Sequence, residues 1–195
     1  MVMPMAIARK FLASAARGRF VRDRRGVAAV EFAAILPLLL LLAFGCIEIT
    51  DGLAIKRKLT HATSSVGDLY AQSKVVTDAD KTNFLNVTSA IMKPYPEGPL
   101  KIVVAGVTLD ANANPTVIWS DAKGTNPLQV GSVYPLPENL KVPNTFLVVS
   151  ETTYTYTPRI AYLFSGDVPM KDRFYFKPRL TAKVCRPPQT PVNCI

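Results

Sequence analysis

Histidine is almost missing from this 195-residue chain; His61 stands alone. With one histidine, His-based metal triads and Ser–His–Asp constellations lack parts. No CxxC pair, glycine-rich phosphate loop or glycine-rich turn opening a helix after a strand occurs. The usual signatures of thiol redox chemistry, nucleotide hydrolysis and dinucleotide binding are therefore missing too. Asp78 and Asp80 form a "DAD" that serves as acids at a helix start rather than as a cation site. Trp119 and the tyrosine-threonine run 153–157 read as ordinary sheet. We therefore expect no catalytic residue, no metal and no cofactor: the protein is not read as an enzyme. A second long apolar run is also lacking, so at most one helical membrane span is expected.

That one run is conspicuous. The 21 residues 27–47 contain a single charged group, Glu31, and as a helix they extend about 30 Å, the thickness of a bilayer's hydrocarbon layer. Before them, residues 1–26 hold Arg9, Lys10, Arg17, Arg19, Arg22, Arg24 and Arg25 against Asp23, six of the chain's nine net positive charges. The positive balance is thus mostly a property of the leader and does not mark a nucleic-acid-binding face. Cations abutting a span keep that end in the cytoplasm and send the rest across.

A cleaved signal peptide fits poorly, because the apolar stretch is long and no A-x-A site follows. The "AFGC" at 43–46 makes lipid attachment at Cys46 an alternative, although Phe44 is bulky for such a site and Cys46 also serves as a small apolar helix residue. The arginine-rich start superficially resembles a transit peptide, but directly before a span it acts more simply as a topology determinant. An uncleaved anchor leaves Glu31 unexplained.

Taken together, "RRGVAAVEFAAILPLLLLLAFGCIEI" resembles the N-terminal region of TadE/TadG-like proteins of the Tad (Flp) pilus system, with weaker likeness in "VVSETTYTYTP" and "KVCRPP". The resemblance implies cleavage by a prepilin peptidase between Gly26 and Val27. It also implies a minor pilin or pseudopilin role, with other pilus subunits and an inner-membrane assembly platform as partners. The implied location is the bacterial inner membrane, N-terminus cytoplasmic and the remainder in the periplasm or in the pilus. Cleavage would give Val27 a free amine, and Glu31, four residues on, would share its helix face one turn away. Such pairing would supply the partner that intramembrane carboxylates require, with the helix dipole adding to it.

Beyond the span, helical spacing continues to about Ser73, with Ile49, Leu53, Leu59, Val66, Leu69 and Tyr70 expected along one stripe. Pro37 should bend the helix, and "KRK" at 56–58 reads as a solvated face or a headgroup contact. A second helix is expected over 77–93, opened by a capping box of Thr77 and Asp80 and closed at Pro94. Its buried side would carry Phe84, Leu85, Thr88, Ile91 and Met92. Residues 94–99 are a loop and the expected domain boundary, followed by strands at 100–109 and 116–120 joined by "DANANP". An irregular excursion follows over 121–144. The longest strand candidate is 145–157, with Phe146, Val148, Tyr154 and Tyr156 on one face and Pro158 at its end. A final strand is expected at 179–185.

The expected fold class is therefore α+β: a long N-terminal helix, half transmembrane, and a second helix packed on a small antiparallel sheet. Its divisions are a leader (1–26), a span (27–47), a helical region (48–93) and a β-rich domain (94–195). Cys185 and Cys194 enclose eight residues near the C-terminus. In an oxidising compartment they are expected to form a disulfide contributing about 2–3 kcal/mol.

Overall fold

The computed structural model describes residues 26–158 and 166–190. The chain divides after Ile47 into two units, each taken by itself below. Helix α1 runs Val27–Ala71 across that division, uninterrupted through Pro37.

In the first unit the helix exposes nearly every side chain, including Val30, Phe32 and Leu42. This is the one helix among the described residues long and apolar enough to cross a membrane. So much exposed hydrocarbon is costly in water and favourable in lipid.

In the second unit α1 buries Ile55, Leu59, Ala62, Val66 and Tyr70 along a single stripe. The stripe begins differently from the sequence expectation. Ile49 and Leu53 are more than half exposed, and Glu48 is buried in their stead. Six residues separate Leu53 from Leu59, and at about 100° per residue that turns Leu53 well away from the buried face. Helix α2, Asp78–Met92, begins with the expected box: Thr77 Oγ1 accepts from Asp80 N (3.2 Å), and Thr77 N donates to Asp80 Oδ2 (3.0 Å). It buries Leu85, Thr88, Ser89 and Met92, while Phe84 and Ile91 are half-buried.

Strands β1 (Leu100–Leu109), β2 (Pro115–Lys123), β3 (Phe146–Tyr156) and β4 (Val168–Phe176) form an antiparallel sheet in the order β2-β1-β3-β4. The β1–β2 turn closes as its composition implies, with Asp110 Oδ1 accepting from the amides of Asn112 and Asn114, both at 2.8 Å. The even-numbered residues of β3, with Phe146, Val148, Tyr154 and Tyr156 among them, face the core shared with α1 and α2. The opposite face carries Ala105, Val107, Leu147 and Val149 beneath Tyr134 and Leu136. The irregular excursion thus forms a third layer. Its only regular piece is a 3-10 turn at Glu138–Leu140.

The expected last strand is a correction. Residues 179–185 form no strand beyond one bridge between Cys185 and Val75; the fourth strand is β4 instead. Strand β4 lies at the sheet edge, and its burial alternates along "MKDR", but one of the half-buried positions is the charged Asp172, so the hydrophobic period that reveals a strand is lost.

Candidate functional site

The N-terminal residues of interest lie where helical geometry starts. Gly26 is exposed and immediately precedes α1, and a side chain added there would meet nothing within 4 Å. Val27 is the first helical residue and half exposed; Glu31 is exposed in the second turn. Because dipole effects fade beyond the first turn, the helix terminus contributes less to Glu31 than the sequence suggested. Residues 1–25, with the leader arginines, lie outside the described residues. Cys46 is exposed at the end of the first unit.

Just past the apolar segment, Glu48 is 3% exposed and accepts a hydrogen bond from Tyr156 Oη at 2.6 Å. This joins the start of the second unit's helix to the end of β3. "KRK" is not simply solvated. Lys56 Nζ donates to Asp172 Oδ2 (3.0 Å) and Lys171 O (2.7 Å), and Lys58 Nζ donates to the carbonyls of Lys93 (2.9 Å) and Ile91 (3.2 Å). One lysine thereby ties α1 to β4, and the other caps the last carbonyls of α2. Arg57 alone of the three is exposed. Burial of Asp172 opposes its charge, but the hydroxyl of Thr60 and the ammonium of Lys56 prevail and hold its carboxyl below the usual range.

The C-terminal "KVCRPP" forms a clasp that sequence reasoning did not foresee. Arg186 is 2% exposed and donates to Asp121 Oδ2 at 2.7 Å and to Asp78 Oδ1 at 2.6 Å. Tyr70 Oη donates to the same Asp121 oxygen at 3.1 Å. Asp121 Oδ1 has no hydrogen bond, and the Lys81 ammonium lies 3.4 Å from it, an ion pair too poorly aligned to count as one. The guanidinium therefore links α2 to β2, and Asp121 extends the link to α1 through Tyr70. Burial lowers the affinity of Arg186 for its proton, but its hydrogen bonds to Asp121 and Asp78 outweigh that and raise it. Asp78 is held below the ordinary carboxylate value, first by its bond to Arg186. Burial and the Asp121 carboxylate push the Tyr70 hydroxyl far up. Trp119 stacks on Tyr70 at 5.6 Å and donates to Val184 O at 2.8 Å. Gln189 brackets the β2 edge by accepting from Ser120 N (2.8 Å) and donating to Ser120 O (3.2 Å). Cys185 is buried and disulfide-bonded. Cys194 lies outside the described residues, so its pairing with Cys185 stays an expectation.

The clasp ties α1, α2, β2 and residues 184–190 together. The feature that carries functional meaning is the N-terminal segment, and residues 26–67 match the family model described as TadE-like protein. Over these residues the chain is similar to TadE-like proteins. The TadE-like segment covers Gly26, Glu31, the apolar half of α1 and most of its packed half, and it ends before α2 and the sheet. No curated protein and no solved structure matches the chain.

Proposed function

We propose that this protein is a minor-pilin or pseudopilin-like structural component of a Tad-type pilus, cleaved by a prepilin peptidase after Gly26. The observation that carries the reading is the TadE-like segment starting at Gly26, with α1 beginning at the very next residue. The leader stays in the cytoplasm, held by its arginines. The apolar half of α1 spans the inner membrane, and the second unit lies in the periplasm or in the filament. Cleavage creates an amine at Val27 that pairs with Glu31 of the same or a neighbouring subunit and sets the packing register. The role is structural rather than catalytic, and its partners are the peptidase, other pilus subunits and the inner-membrane platform.

N-terminal sequencing and intact mass of the membrane-extracted protein test this directly. The expected start is Val27. A chain retaining Met1 removes the cleavage, and a lipid adduct on Cys46 makes the protein a lipoprotein. Glu31→Ala is expected to be processed and inserted but to lower pilus assembly. Wild-type assembly by that variant removes the pairing.

A further inference from the structure

From Val27 onward two basic clusters stand out: "KRK" at 56–58, whose lysines bind β4 and α2, and a second near the end of the described chain. Residues 177–186 contain Lys177, Arg179, Lys183 and Arg186 and no acid, whereas the rest of the chain from Val27 holds 12 basic and 13 acidic groups. The fold disposes of two of the four: Arg186 turns inward to Asp121, and Arg179 pairs with Asp68 at 2.5 Å. Lys177 and Lys183 are exposed and make no ion pair among the described residues, and neither does exposed Lys74. These lysines share a neighbourhood. Arg179 N donates to Ala71 O (2.9 Å) and Cys185 N to Lys74 O (3.0 Å), so both ends of the loop are tied to the C-terminal end of α1. Between the lysines, Leu180 is 61% exposed.

We infer that this loop, with Lys74, is a docking surface for an anionic lipid bilayer. Point-charge ammoniums around an exposed leucine suit a headgroup layer: the lysines meet phosphates while the leucine enters the acyl boundary. Nucleic acid is the poorer fit. The loop's surface arginine is already engaged by Asp68, and no exposed aromatic residue stands in the loop to stack on bases. This surface does not depend on cleavage at Gly26, so either proposal can fail without the other.

The test uses the full chain in phosphatidylcholine nanodiscs, mixed with vesicles of phosphatidylcholine alone or with added phosphatidylglycerol, and read by flotation. Binding is expected only with phosphatidylglycerol and is expected to weaken steeply as salt rises. Lys74→Gln/Lys177→Gln/Lys183→Gln is expected to bind on the order of a hundredfold more weakly, the combined effect of three lysines near a charged surface. Leu180→Gln is expected to bind more weakly at unchanged salt dependence. The replaced lysines make no ion pair among the described residues, so thermal unfolding should be unchanged. Because the leader is also basic, the loss of binding in the triple variant, not the salt titration of the wild type alone, reports on the loop. Equal binding to neutral vesicles, undiminished binding by the triple variant, or tighter binding to duplex DNA or an anionic polysaccharide overturns the inference.

Discussion

Arg186 and Asp121 meet where water barely reaches, and the energetics of such a pair are lopsided. Removing one partner strands a buried charge, whereas replacing both with apolar groups of similar volume is often neutral. Arg186→Met is expected to destabilise the second unit by about 3 kcal/mol, at the low end because Tyr70 and Lys81 still face Asp121. Arg186→Met/Asp121→Leu is expected to be less damaging than the single change. Denaturant unfolding in detergent, followed through buried Trp119, measures both. Exposed acids give a pH signature. The carboxyls of Asp78 and Asp80 are held below the ordinary 3.8, the first chiefly by Arg186 and the second by the Thr77 hydroxyl. A depressed carboxyl contributes stability above its unfolded value and loses it as pH falls through the folded one. The unfolding midpoint should therefore be insensitive to these groups at neutral pH and fall below about pH 4, with Asp78→Asn blunting the fall. The capping pair was legible beforehand because Thr77 and Asp80 lie three residues apart. The Arg186–Asp121 pair was not, since 65 residues separate the partners and no local rule connects them.

Among elements, α1 and the sheet come into close contact. At Gly67 an added Cβ would collide with the Phe176 ring and the Ser150 hydroxyl, whereas at Gly52 it would only touch Met170 and Tyr156 at ordinary distance. Helix propensity favours alanine over glycine by about 1 kcal/mol at both positions. Overpacking costs about 1–3 kcal/mol and wins only where the neighbours cannot yield. Gly67→Ala is therefore expected to destabilise and Gly52→Ala to stabilise, an opposite pair of shifts in thermal midpoint. If Gly67→Ala raises the midpoint, the close helix–sheet packing is wrong. Helix α2 and strands β1 to β3 were readable from caps, turns and alternation. Strand β4 was not, because one of its half-buried positions is the charged Asp172, held by Lys56 of α1, which breaks the hydrophobic alternation. The stripe on α1 was misplaced at its start because Glu48 is polar, and its burial is accompanied by a hydrogen bond from the Tyr156 hydroxyl, a partner 108 residues away.

For the whole molecule, the first unit's exposed apolar helix is long and apolar enough to cross a membrane. The chain is expected to remain in the membrane pellet after alkaline washing and to be released by detergent, and Leu40→Arg/Leu41→Arg should shift it out of that fraction. A wild-type chain recovered in the alkaline supernatant contradicts a membrane-spanning α1. The sequence by itself determined this part of the protein: the apolar run, the glycine before it, the glutamate five residues on and the TadE-like character all lie within one continuous stretch. It determined the α+β class as well, because periodicity and capping act over neighbouring residues. Only the tertiary structure decided that "CRPP" buries its arginine, that Lys56 and Lys58 bind sheet and helix, and that the excursion covers the sheet's second face. Those outcomes depend on desolvation and on partners distant in sequence, and both come into being only when the chain closes on itself.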